Sequence, residues 1–309
     1  DPGARPVFSR NYSPNSQEQY GLSSNLRLQL AEPLHLILGA RVQRYKFDQT
    51  YQVADATGTV WAQQSRVDMH EPTKVTPFGG IVYDLTDEWA AYASYAEIFK
   101  PQQNLLSGPA SAGSPLDPMT GKTYETGIKG ELFGGAVNTS IALYYTKRED
   151  QSVQDANYPA TQVLFGGNCC YLNGGETISK GIDMEISGEL LRDWMLMASY
   201  TLNLNKNRDT GSALSTVTPK HVAKLFTTYR LPGELEDLRV GGGVDIQSAT
   251  YVSGSASTYD SLGSVVQANV PFEYRQGGYA IWNAMVDYRI DEHWNLTLNG
   301  NNLLDKKYY

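Results

Sequence analysis

The chain has 309 residues, with 25 Lys and Arg against 33 Asp and Glu and a formal charge of −8; that is length enough for a large domain, and the acidic balance argues against nucleic acid as a partner. No apolar run approaches the roughly 18 residues of a membrane helix. A β-barrel stays open, because its strands place lipid-facing residues only at every second position, and the 29 Gly and 21 Tyr suit many turns and interfacial aromatic belts.

The N-terminus, Asp1-Pro2-Gly3, has no Met and no signal-like apolar region, so a processed chain or a fragment is expected. Ser9 to Glu18 is polar and reads as a loop. Tyr20, Leu22, Leu26, Leu28 and Leu30 then alternate with small or polar residues. After the turn Ala31-Glu32-Pro33, Leu34, Leu36, Leu38, Ala40 and Val42 mark a returning strand, with His35, Gly39, Arg41 and Gln43 opposite. Such period-2 patterns put two residue sets on opposite faces of a sheet. Asp48 to His70 is expected as a long polar loop. Lys74 to Tyr83 is a strand, Asp84 to Glu88 a turn, and Trp89 to Phe99 a strand whose faces the pattern does not separate.

Lys100 to Thr120 reads as a Pro-containing loop. Tyr124, Ile128 and Leu132 lie opposite Glu125, Lys129 and Glu131, and Phe133-Gly134-Gly135 turns the chain into Thr139, Ile141, Leu143 and Tyr145. Lys147 to Thr177 is another long loop holding Cys169 and Cys170. Adjacent Cα atoms lie ~3.8 Å apart, below the usual ~4.4 Å minimum for a disulfide. A vicinal disulfide would be strained; two thiols, or bonds to cysteines outside this chain, are the alternatives. Ile182, Met184 and Ile186 alternate with Asp183, Glu185 and Ser187. Trp194 to Leu204 forms the longest clean alternation. Strands follow at Lys220 or His221 to Tyr229, Leu238 to Ile246, Ala280 to Arg289 and Trp294 to Asn299, with Asn205 to Pro219 and Ala249 to Gln276 as loops.

About twelve strands result, near the ~9–11 residues that a tilted strand needs to cross a bilayer. Connections alternate between tight and long, as in transmembrane barrels. Trp89, Trp194 and Trp294 each stand where a strand leaves a tight turn, and Tyr83, Tyr229 and Tyr288 where one enters it. Aromatics at one depth predict a membrane-interface girdle. A soluble up-and-down β protein is the alternative, although its loops should be shorter and less lopsided.

The tail Asn302-Leu303-Leu304-Asp305-Lys306-Lys307-Tyr308-Tyr309 resembles the stretch before the last strand of TonB-dependent outer-membrane receptors. Val75 to Tyr83, Tyr92 to Gln102, Tyr124 to Glu131 and Ser179 to Glu185 are similar to that family too. In this order the motifs resemble ferric-siderophore receptors, and Cys169-Cys170-Tyr171 looks like the branch for hydroxamate or mixed ligands of ferrichrome, coprogen, ferrioxamine or pyoverdine type. The resemblance implies an all-β antiparallel transmembrane barrel, with residues 1–309 supplying the C-terminal twelve or so strands of a 22-stranded plugged barrel. The plug, the TonB-binding segment, the early strands and the final strand are then expected to be absent. It also implies a multi-pass bacterial outer-membrane protein, embedded in the lipid bilayer as a monomer and drawing energy from the TonB complex through the absent N-terminal region.

No catalytic constellation is visible, and His35, His70, His221 and His293 share no metal-like spacing, so neither an enzyme nor a metal centre is expected. Asp183 and Glu185 read as a solvated lumen pair. No cofactor is needed, because a siderophore ligates Fe(III) itself. A water-facing concave site with aromatics and donors is needed, and its candidates at strand tops and long loops are Tyr45, Phe47, Trp61, Phe99, Gln103, Tyr158, Phe165, Tyr171, Tyr251 and Tyr259. The competing functions are a cobalamin or carbohydrate importer of the same superfamily and a passive porin.

Overall fold

The computed structural model describes residues 11–54, 61–103, 105–107, 114–155, 157, 168–208, 218–260 and 263–308. Strands β1 (Asn11–Tyr12), β2 (Asn15–Ala31), β3 (Leu34–Ala54), β4 (Trp61–Asp84) and β5 (Trp89–Lys100) come first. The short β6 (Leu105–Ser107) and β7 (Ser114–Pro115) precede β8 (Met119–Leu132) and β9 (Val137–Gln154). Then come β10 (Asn168–Cys169), β11 (Tyr171–Leu191), β12 (Trp194–Asn207), β13 (His221–Arg230) and β14 (Leu238–Gln247). The chain closes with β15 (Thr250–Tyr259), β16 (Val265–Gln276), β17 (Tyr279–Arg289) and β18 (Asn295–Gly300).

One antiparallel sheet of thirteen strands runs in sequence order from β1 and β2, which both pair with β3, to β18. It skips only β6, β7 and β10, which form a small sheet, and the separate β15–β16 hairpin. The tight turns stand at one end and are built by local chemistry. Thr86 Oγ1 accepts from the amides of Glu88 and Trp89 (3.2 and 3.1 Å). Asp291 Oδ1 accepts from His293 and Trp294 (2.7 and 2.9 Å). These are side-chain mimics of a backbone turn.

Register assigns the faces, since cross-strand partners share one. Leu38, Ile81, Ile128, Leu143, Met184, Leu225, Val286 and Leu298 all lie on one face and are exposed. Glu125 with Lys129 on β8, Asp183 with Glu185 on β11, and Lys224 and Asp245 on β13 and β14 lie on the other. The sheet is thus apolar outside and polar inside, the inverse of a soluble sandwich. No helix among the described residues is long and apolar enough to cross a membrane. The buried apolar cluster (Tyr45, Phe47, Val67 and Met69 of β3 and β4, with Leu106 of β6) lies on the upper part of this wall, at the long-connection end.

Several stretches expected as loops carry strand among the described residues. β3 and β4 pair as far as Ala54 and Trp61, and β9 and β11 as far as Gln154 and Tyr171. The Ser/Tyr-rich stretch after Ala249 is the β15–β16 hairpin, and β2 begins at Asn15. Continuing the ladder satisfies backbone donors and acceptors that a loop would leave to water. The tail after β18 is a knot around Asn302, which has φ 52°. Its amide donates to Asn283 Oδ1 (3.1 Å), its side chain exchanges bonds with the Lys306 backbone (2.9 and 3.1 Å), and Tyr308 stacks on Tyr279 with centroids 4.9 Å apart.

Candidate functional site

At the long-connection end, strand tops from β2, β3, β5, β8, β9, β11 and β12 and the segment after β5 line a cavity of about 780 Å³. That volume lies within the ~300–1,000 Å³ of small-molecule sites. Its lining is amide-rich, with Gln17, Gln19, Gln103, Gln151 and Asn207, and carries Tyr45, Phe99, Met119 and Val153 as its larger apolar surfaces. Among the described residues, Lys100 is the one charged residue of the lining. Such a wall offers neutral donors and acceptors together with flat apolar contact.

Tyr45 is 2% exposed, and its hydroxyl has no hydrogen-bond partner among the described residues. Leaving a buried hydroxyl unpaired costs about 1–3 kcal/mol. Burial pushes its pKa up, and the facing Glu71 adds to the shift. The group therefore stays protonated and able to donate.

The site is held by Gln102, which is 8% exposed. Its Nε2 donates to the carbonyls of Asp117 and Asp150 (both 2.7 Å), and its Oε1 accepts from the Ser152 amide (2.8 Å). Asn173 Nδ2 donates to the same two carbonyls (2.9 and 3.0 Å). Two amide side chains thereby tie the segment after β5 to β9 and β11. The bulge this requires in β9 is at Asp150, with φ 59°. Beside the bulge, Glu176 accepts from Arg208 (2.6 Å) and pairs with Lys147 (3.3 Å). The Arg208 bond is the largest cause holding its carboxyl below the usual range.

Among the sequence candidates, Tyr45, Phe99 and Gln103 come together on the cavity. Phe47 packs beside them in the apolar cluster. Tyr171 opens β11 and is half-buried. Tyr251 and Tyr259 lie on the separate β15–β16 hairpin, half-buried and exposed respectively. Trp61 opens β4, but its side chain lies outside the described residues, as do Tyr158 and Phe165. Cys170 is buried and disulfide-bonded. The side chain of Cys169, whose backbone pairs with Leu106, lies outside the described residues. Tyr83, Trp89, Trp194, Tyr229, Tyr288 and Trp294 all stand at the tight-turn end; Trp194 faces Tyr229 directly, and Trp294 is 70% exposed. Sequence reasoning missed Gln102 as the anchor. The only signal for it was its place at the end of the Phe99-Lys100-Pro101-Gln102 stretch.

A wall that is apolar outside and polar inside, with tight turns at one end and a cavity at the other, defines an outer-membrane β-barrel receptor. The chain belongs to the TonB dependent receptor-like β-barrel family, whose model matches residues 1–303. It is 39% identical over 306 residues to the ferric-pyoverdine 358 receptor of Pseudomonas putida, covering 98% of this chain and 34% of that protein. It is 35% identical to the ferric-pyoverdine M114 receptor PbuA of Pseudomonas sp. (strain M114), covering 94% and 33%. The crystal structure of the ferripyoverdine receptor of the Pseudomonas aeruginosa outer membrane, bound to ferripyoverdine, superposes with a TM-score of 0.77 at 30% identity, over 96% of this chain and 36% of that one. The alcaligin outer-membrane receptor FauA of Bordetella pertussis gives 0.70 at 33% identity, over 94% and 43%. The chain therefore spans about a third of the length of the curated relatives it matches. The family consists of transport receptors rather than enzymes.

Proposed function

We propose that these strands are one sector of a longer, closed and plugged barrel that imports a ferric siderophore across the outer membrane, with TonB supplying the energy through a region outside this chain. The ligand class is a hydroxamate or mixed chelate of the pyoverdine kind. The observation that carries the proposal is the outer-end cavity with its amide lining and the unpartnered Tyr45 hydroxyl. The relatives named as ferric-pyoverdine receptors support it. Iron arrives already ligated by the chelate, so the protein supplies shape and hydrogen bonds, and no resident cofactor or metal is required.

Tyr45, Phe99 and Gln103 are the primary contacts in this proposal. Phe47 shapes the wall behind them, and Trp61, Tyr158, Phe165, Tyr171, Tyr251 and Tyr259 are contacts contributed by the surrounding long connections. Cys169 and Cys170 form a vicinal disulfide that stiffens the connection between β9 and β11. Tyr83, Trp89, Trp194, Tyr229, Tyr288 and Trp294 form the inner-side girdle of a monomer in the bilayer.

Intrinsic fluorescence of the full-length receptor tests the proposal, titrated with ferric hydroxamates, ferric pyoverdine, a ferric catecholate and cobalamin. Saturable quenching by one ferric hydroxamate or pyoverdine, and not by its iron-free form, is expected. A saturable response to cobalamin alone, or to no chelate at all, would overturn it in favour of another cargo or a porin.

A further inference from the structure

The segment after β5 forms one wall of the cavity and is held along its length. At its foot, Gln102 and Asn173 tie it to β9 and β11. In its middle, β6 brings Leu105 to the cavity and sends Leu106, 6% exposed, into the cluster with Tyr45, Phe47, Val67 and Met69. β7 doubles back on β6, with Pro115 opposite Leu106 and the Leu116 amide donating to the Leu105 carbonyl (3.0 Å). The other edge of β6 is taken by β10, which runs parallel to it with Asn168 opposite Leu105 and Cys169 opposite Leu106.

β10 is 2 residues long, too short to keep its place through its own backbone bonds. Cys170 alone separates it from β11, so across that residue the chain exchanges β6 for β9 as its partner. Cys170 is 3% exposed and disulfide-bonded. Its carbonyl accepts from the amide of Asp155 (3.0 Å), a buried residue just past the end of β9. Cys169 is the other cysteine of the chain. A bond between these neighbours closes a small ring over the peptide link that sets the direction of β10. Without the ring that link regains its rotational freedom, and a strand this short leaves β6 with it.

We infer that the Cys169–Cys170 bond is a positioning element of the ligand cavity: it holds β10 on β6 and so fixes where Leu105 and Leu106 stand against Tyr45. This role reaches beyond the β9–β11 connection, because the wall it fixes belongs to the segment after β5, and it rests on the reading of the cavity as the ligand site. Cys170 is not among the described residues of the lining, so its effect passes through β6. A wall held in its bound arrangement spares the ligand the cost of ordering it, and loss of that order shows mainly as faster dissociation.

The test compares the oxidised full-length receptor with its Cys169→Ser/Cys170→Ser variant and with folded wild type treated with a trialkylphosphine. The phosphine takes the sulfur–sulfur bond to two thiols and becomes the phosphine oxide, water supplying its oxygen and the two thiol protons; alkylation and mass measurement count the thiols. In the ligand-free protein, hydrogen exchange in peptides covering residues 102–107 and 114–118 is expected to quicken about tenfold in both altered forms, with β12 to β14 unchanged. Fluorescence titration with ferric pyoverdine is expected to give a Kd about tenfold higher, carried mainly by koff, at unchanged heat-modifiable mobility. Reoxidation of the reduced protein is expected to restore both values. If the serine variant does not fold, the reduced form of the folded wild type carries the same expectations. Unchanged exchange in these peptides would overturn the inference for any cargo, as would unchanged Kd and koff for a chelate that the oxidised receptor binds. Failure of the oxidised receptor to bind ferric pyoverdine or any ferric hydroxamate would count against the ligand reading instead, and exchange alone would then decide the positioning role.

Discussion

The Tyr45 hydroxyl is buried on a cavity without a hydrogen-bond partner among the described residues, while the rest of its ring packs with Phe47, Val67 and Met69. Two opposite effects of one substitution follow. Tyr45→Phe keeps the packing and removes a buried polar atom, so the ligand-free receptor is expected to melt no lower than the wild type. The same change removes a donor from the proposed ligand, and Kd for the ferric siderophore is expected to rise about tenfold, roughly the 1.4 kcal/mol of a lost hydrogen bond. Calorimetric melting and fluorescence titration of the two proteins check this. Weaker binding together with a large fall in melting temperature would make Tyr45 a packing residue only. Gln102 poses the contrasting case. Its polar atoms are fully engaged with Asp117, Asp150 and Ser152, so its role is to fix where Gln103 and Phe99 stand. Residue type could not separate adjacent glutamines; the three backbone groups that surround Gln102 could.

Among the elements, β11 shows how close packing fixes a motif. Gly181 faces Tyr144 across the ladder to β9. A Cβ on it would lie 1.8 Å from the Leu202 carbonyl and 2.6 Å from the Tyr144 hydroxyl. Gly127 of β8 faces Tyr92 in the same way, with the Ile141 carbonyl 2.4 Å from an added Cβ. In each case an aromatic ring covers a glycine, a device that pins register between neighbouring strands. Gly181→Val is therefore expected to lower the yield of folded, heat-modifiable receptor severalfold, while Ser179→Val one turn of the pleat away on the same face is expected to fold. Densitometry of unboiled gel bands measures both. The Ser179 to Glu185 stretch was legible as a motif, but the reason for its glycine lay in the partner strand. All twelve long wall strands were legible because lipid and lumen demand opposite residues at alternate positions. Trp89 to Phe99 blurred that signal because Ala and Tyr stand on both faces. Beyond the bilayer the demand ends, so the upper parts of β3, β4, β9 and β11 and the β15–β16 hairpin looked like polar loops although their backbones are paired. Of the candidate site, the aromatic and amide character was legible, and the convergence of Tyr45, Phe99 and Gln103 was not, since it depends on which strand tops the register brings together.

At the scale of the molecule, the wall has two open edges. Among the described residues, β2 pairs only with β3, and β18 only with β17. β2 carries Tyr20, Leu22, Leu26, Leu28 and Leu30 outward, all exposed, so one flank of a lipid-facing surface ends in unpaired N–H and C=O groups. Each such group in hydrocarbon costs several kcal/mol, and water-soluble alternatives for an open, apolar edge lead to edge-to-edge association. Closure by further strands removes both penalties, and the relatives are about three times as long as this chain. Residues 1–309 produced alone and refolded into detergent are therefore expected to associate through β2 and β18 rather than give a monomeric band that shifts on heating. The full-length receptor refolded in parallel is expected to give that band. Gel mobility with and without boiling, together with light scattering, decides the matter. A monodisperse, heat-modifiable 309-residue monomer would mean that β2 and β18 close on each other, and the proposed sector of a larger barrel would be wrong.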